Sequence, residues 1–147
     1  MHPGMRLLDL GCGPGRFAIE AIEIGADITL ADLSRGQLDL AQQKIGDQGF
    51  SGSVVGVHEV SIIDLGRFRD GEFDGVICYG GVVSYVREHY ADALRELVRV
   101  IEPAGYCSSA SCRSTGRSGS SARWTLQRSW STPKTIYHGM RRSSRPE

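Results

Sequence analysis

The sequence predicts an α/β fold: a doubly wound, mostly parallel sheet whose C-terminal strands are missing. Three observations carry that expectation. Short apolar runs alternate with stretches of helical period, the order that builds strand–helix–strand units. One run, "FDGVICYGG" (73–81), is apolar almost throughout, as suits a strand buried on both faces. The alternation then stops after Tyr106.

The elements follow in order. "MRLLDL" (5–10) reads as a short buried strand, ended by a glycine cluster. Pro14 suits the first turn of a helix, where its missing N–H costs nothing. That helix shows Phe17, Ala18, Ala21 and Ile22 on one face and stops at Gly25. "DITLAD" (27–32) is a second strand. Ser34 caps a second helix with Leu38, Ala41 and Ile45 on its apolar face, ending near "GDQG". "SVVGVHEV" (53–60), β-branched and alternating, is a third strand, and 73–81 the fourth. Residues 87–102 carry Tyr90, Leu94, Leu97, Val98 and Ile101 at helical spacing before the turn "PAG".

Composition bounds the rest. A chain of 147 residues, 40% hydrophobic and 23% charged, has room for one globular domain. No apolar stretch is long enough for a bilayer, and the first residues lack the pattern of a signal peptide. Cys12, Cys78, Cys107 and Cys112 show no paired zinc spacing, so a cytoplasmic protein with free thiols is expected. The net charge of zero hides an asymmetry. Through Tyr106 there are 9 Lys and Arg against 16 Asp and Glu; from Cys107 onward there are 8 against 1. Apart from the adjacent Arg141 and Arg142, the arginines of that tail are scattered singly, a pattern that argues against a nucleic-acid partner. Two regions result: a core at 1–106 and an irregular basic Ser/Arg-rich tail at 107–147.

"LLDLGCGPGRF" (7–17) sets the functional question. A strand–glycine loop–helix turn brings backbone N–H groups and a helix N-terminus to a ligand. Dinucleotide-binding loops use G-x-G-x-x-G, but here the glycines fall at 11, 13 and 15 and Arg16 holds the decisive place. A phosphate-binding Walker loop fails too, because no Gly-Lys-Ser/Thr follows.

"LLDLGCGPGRFAIEAIEIGADITLADLS" resembles the first two motifs of the class I S-adenosylmethionine-dependent methyltransferases, a Rossmann-like family. "DLGRFRDGEFDGVICYGG", "ALRELVRVIEP" and the "PAG" turn fit the same family in order, so the resemblance covers roughly residues 5 to 106. It implies S-adenosyl-L-methionine as cofactor and a small-molecule methyl acceptor. It also implies that Gly11, Gly13 and Gly15 lie against the methionyl and ribose portions. Asp9 would orient the loop and accept from the amino group; its other reading is a loop brace. Asp32 would take the ribose diol, its two oxygens matching two hydroxyl donors; its other reading is a cap or turn former. Leu33 would lie on the adenine. The family's usual acidic residue for the adenine amino group falls at Ser61 rather than Asp64, which reads as a turn residue. The N–H of Ile62 would meet the adenine ring. Tyr79 and Gly80 form the next wall, with Tyr85 and His89 on the acceptor side. His89 reads more readily as solvent-facing than as a base, and no catalytic residue is assigned.

Beyond Tyr106 the family expects an apolar fifth strand. The chain instead has seven serines between Ser108 and Ser121. Two readings account for it: a disordered linker or tail, and a slipped reading frame, which is favoured because this stretch becomes apolar when read one codon phase over with serines as TCN. The front also lacks the family's N-terminal helical cover. The expectation is therefore a core with no fifth strand from about Ser108 onward. The edge of 73–81, with Val76 and Ile77, would be bare and prone to association. Rival readings are a non-catalytic cofactor-binding remnant and, disfavoured by Arg16, a nucleotide-dependent oxidoreductase.

Overall fold

The computed structural model describes residues 3–79 and 82–109. Five strands form one sheet: β1 (Arg6–Leu10), β2 (Asp27–Asp32), β3 (Val54–Glu59), β4 (Phe73–Cys78) and β5 (Ile101–Ser109). Their order is β3-β2-β1-β4-β5 and every pairing is parallel. The helices are α1 (Arg16–Glu23), α2 (Arg35–Asp47), a single turn α3 (Val82–Tyr85) and α4 (Tyr90–Val100).

Strand parity sorts the side chains into two apolar layers. Leu7, Ile28 and Leu30 face Ala18, Ala21 and Ile22 of α1 and Leu38, Ala41 and Ile45 of α2. Leu8, Leu10, Ala31 and Val76 face the other way, against Leu65, Phe68, Ala93, Leu97 and Val100. The chain steps β1 to β2 to β3 in one direction and β4 to β5 in the other. Right-handed crossovers therefore put α1 and α2 on one face and α4 on the opposite one. Burying one leucine of these layers is worth about 1.5–3 kcal/mol, and β1 buries all of Leu7, Leu8 and Leu10.

Parity has a functional consequence. Asp9 follows Leu7 by two and Asp32 follows Leu30 by two, so both carboxylates fall on the α1–α2 face. Both lie at the carboxyl ends of neighbouring strands.

Four expectations are corrected. The fifth strand forms: Ser108 and Ser109 pair with Ile77 and Cys78, three residues past Tyr106. Ladder bonds are made by backbone groups, and the open N–H and C=O row of β4 accepts a serine-bearing segment as it would an apolar one. Val76 and Ile77 are accordingly buried rather than bare. The helix expected over 87–102 is shorter, with a 3-10 turn at Arg87–His89 ahead of α4 and Ile101 already in β5. The "PAG" turn lies inside β5 as a bulge: residues 102–105 face only Asp74 between the pairs Phe73–Ile101 and Gly75–Tyr106. Finally, Val98 is not core. It is 73% exposed, because α4 buries the face of Ala93, Leu97 and Val100. Val98→Lys should therefore change the unfolding free energy by no more than about 0.5 kcal/mol in a urea titration. The expectations for residues 110–147, Cys112 included, and for Gly80 lie outside the described residues.

Candidate functional site

The chain reverses direction across the sheet between β1 and β4, so a crevice opens beyond their carboxyl ends. The loop after β1 lines it. Gly11, Gly13 and Gly15 have φ of 70°, 50° and 78°, the left-handed region where a side chain is costly. This alternation lets the chain leave β1, turn under α1 and start that helix within five residues. The loop is tied to β2: the N–H groups of Gly11 and Cys12 donate to Ala31 O at 2.7 and 3.2 Å. Gly15, at the N-cap of α1, donates to Cys12 O at 2.9 Å.

Asp32 is the hub beside it. Its Oδ2 accepts from Gly13 N–H at 2.9 Å and its Oδ1 from Ser34 N–H at 2.9 Å. Its backbone carbonyl accepts from Val60 N–H at 3.0 Å, joining the end of β3 to the same point. Asp32 thus serves as a turn former, and each carboxylate oxygen keeps a further acceptor direction. The residue is half-buried.

Asp9 differs. It is 1% exposed, and among the described residues no hydrogen-bond partner reaches its Oδ2. Burial pushes its carboxyl up to about 7. The backbone N–H of Ala18 opposes that shift and the nearby charge of Asp32 adds to it. An orphaned buried acceptor is costly, so this site is complementary to a donor, above all a cationic one. The protonated amino group of an amino-acid ligand meets that demand, and the residues present fit S-adenosyl-L-methionine. Cys12 is not a nucleophile: burial, with Asp9 and Asp32 adding to it, pushes its thiol up to about 12.

The structure places the remaining expected residues as follows. Leu33 is 72% exposed, a large apolar side chain left bare immediately after Asp32. Ser61 pairs with Asp64 in an isolated bridge and accepts from Asp64 N–H at 3.0 Å, while Asp64 Oδ1 accepts from Gly66 N–H. Ile62 turns inward to the second apolar layer. Tyr79 stacks on Phe17 of α1, ring centroids 4.4 Å apart, so the end of β4 is held against the loop side of the sheet. Tyr85 and His89 are exposed; His89 Nδ1 lies 3.6 Å from Asp92.

Sequence reasoning missed one group. Glu96 and Arg99 of α4 reach across to the segment after β3 and bond its backbone. The only signal was two charges three apart, beside the apolar positions of α4.

Comparison with known proteins agrees with this geometry. The family model for the methyltransferase domain matches residues 8–109. The malonyl-(acyl-carrier protein) O-methyltransferase of Serratia marcescens is 34% identical over 106 residues, 71% of this chain and 37% of that protein. A methyltransferase from Thiobacillus denitrificans, solved with S-adenosyl-L-homocysteine, is 27% identical with a TM-score of 0.59, covering 71% of this chain and 41% of that one. The 4+2 cyclase SpnF is 29% identical with a TM-score of 0.67, over 74% of this chain and 39% of its own. The chain spans about two fifths or less of the length of these proteins. A match over residues 8–109, on a sheet of this order and with this glycine loop, makes the chain a member of the class I S-adenosylmethionine-dependent methyltransferase family.

Proposed function

We propose that the protein binds S-adenosyl-L-methionine in the crevice above β1, β2 and β4 and transfers its methyl group to a small-molecule acceptor. The observation that carries this reading is the buried, unpartnered Oδ2 of Asp9 beside the glycine loop and Asp32. The cofactor supplies an electrophilic methyl on a sulfonium, open to in-line displacement. Asp9 accepts from the amino group, and the glycine backbone permits close approach of the methionyl and ribose parts. Asp32 takes the ribose hydroxyls on its free acceptor directions. Leu33 covers one adenine face, while Ser61 and the N–H of Ile62 meet the adenine edge. Tyr79, braced on Phe17, walls the side toward β4. The protein's contribution is alignment of the reacting centres, and no general base is assigned. Cys12, Cys78 and Cys107 stand outside any disulfide among the described residues, in keeping with a cytoplasmic, reducing setting.

Calorimetric titration with S-adenosyl-L-homocysteine and with NAD tests the cofactor. The homocysteine product should bind and NAD should not; the reverse would restore the oxidoreductase reading. Asp32→Ala should weaken binding of the product by about 1.5–3 kcal/mol, the value of hydrogen bonds to a charged group. A second reading, cofactor binding without methyl transfer, draws on the likeness to a protein described as a cyclase. Transfer of a labelled methyl group to small-molecule extracts separates the two readings.

A further inference from the structure

We propose that Arg99, held by Glu96, is a positioning residue that sets the adenine edge of the site; this rests on the cofactor reading above. The connection from β3 to β4 contains no regular helix, so its backbone polar groups need partners from elsewhere. Arg99 supplies them. Its Nη1 donates to Phe68 O at 2.8 Å and Asp70 Oδ1 at 2.9 Å. Its Nη2 donates to Leu65 O at 2.9 Å and Glu96 Oε2 at 2.8 Å. Its Nε donates to Glu96 Oε1 at 3.0 Å. A guanidinium has five N–H donors in a fixed plane, and these contacts commit all of them.

Glu96 completes the clamp. Its Oε2 accepts from Leu65 N–H at 3.0 Å, and Gly71 N–H returns to Arg99 O at 2.9 Å. The same segment is pinned at its start, where Val60 N–H meets Asp32 O. Ser61 and Ile62 lie between the two anchors, four or fewer residues from Leu65. Ile62, Leu65 and Phe68 are buried beneath them, which leaves little play normal to the sheet. Sliding along it is opposed by the Arg99 fork, together with the bonds that Glu96 and the Arg99 carbonyl make to Leu65 and Gly71. Both clamp side chains are largely covered, 27% and 23% exposed, so the fork is not a solvated surface pair. A clamp here fixes where the Ser61 oxygen and the Ile62 N–H stand relative to Asp32. Adenine and ribose are read by those same groups, so the spacing sets base selectivity.

The test uses the full chain with three probes: S-adenosyl-L-homocysteine, 5′-methylthioadenosine and S-inosyl-L-homocysteine, whose base carries an oxo group in place of the amino group. Arg99→Lys and Glu96→Gln should each weaken the two adenine ligands by a similar factor, roughly tenfold. They should also shrink the preference for adenine over the inosine analogue. Hydrogen exchange at Leu65 and Gly71 should rise while residues 5–32 keep their protection. Faster exchange with unchanged affinity and base preference would show a merely structural clamp and overturn the proposal. If Arg99→Lys does not fold, Glu96→Gln keeps the size and an acceptor for Leu65 N–H, and its base preference decides. Failure of the unaltered protein to bind S-adenosyl-L-homocysteine would instead remove the cofactor reading, and the proposal with it.

Discussion

Gly15→Val should lower the unfolding free energy by about 2–5 kcal/mol, the sum of a left-handed residue's strain and an overpacked contact. Gly15 has φ 78°, and a Cβ there would lie 3.0 Å from Ala41 Cβ and 3.2 Å from Ala41 Cα. The second contact decides the matter, because Ala41 is fully buried in α2 and its backbone cannot rotate away as a side chain would. Gly49 provides the control. Its φ is also 78°, but a Cβ there meets nothing within 4 Å, so Gly49→Val carries strain alone. Thermal denaturation of both variants separates the terms: Gly15→Val should lose several degrees more than Gly49→Val. Equal losses would show that α1 and α2 do not meet as tightly at the glycine loop as the structure has them.

What the sequence revealed follows the range over which each feature is determined. "DITLAD" is β2 to the residue, and the helices around Ala18 and Leu38 bury the faces their spacing predicted. Those signals are local: apolar period, a glycine stop, a glycine cluster that few other residues could replace. The glycine loop and Asp32 could be placed for the same reason. Val98 was misplaced because the periodicity of α4 admits two adjacent apolar stripes. Only the sheet beneath turns Ala93, Leu97 and Val100 inward, with Leu94 partly buried against them, and leaves Val98 outside. The fifth strand was missed because its composition is wrong for a strand, while its pairing depends on β4, a partner more than twenty residues away. The Arg99 clamp was out of reach for a similar reason: its acceptors are carbonyls at Leu65 and Phe68, which every sequence possesses. Asp9 was identified by position, but its desolvation comes from the loop and helix that close over it.

That desolvation predicts opposite effects of one substitution on stability and on binding. The Asp9 carboxyl titrates at about 7 in the folded protein against 3.8 ordinarily. The folded state thus holds the proton more tightly, and the stability that Asp9 contributes falls as pH rises from about 4 to about 7, then stays low. At 1.36 kcal/mol per unit the full cost is about 4 kcal/mol. Asp9→Asn removes the titration and leaves a neutral amide of the same size. The variant should match the unaltered protein near pH 4 and be more stable by up to that amount at pH 8. Other groups, such as Glu96 held low by Arg99, titrate alike in both proteins and cancel in the difference. Binding should move the other way. An amide cannot answer an ammonium as a carboxylate does, so S-adenosyl-L-homocysteine should bind Asp9→Asn more weakly at pH 8. In the unaltered protein at pH 6, the ligand's charge should drive Asp9 to ionise, and calorimetry in buffers of differing ionisation enthalpy should record a proton released. Parallel stability curves for the two proteins between pH 4 and 8 would mean that Asp9 is not desolvated. A variant both less stable and undiminished in binding would make it a loop brace. The predicted pairing, more stable and weaker in binding, is expected of a buried charge held unpaired until its ligand arrives.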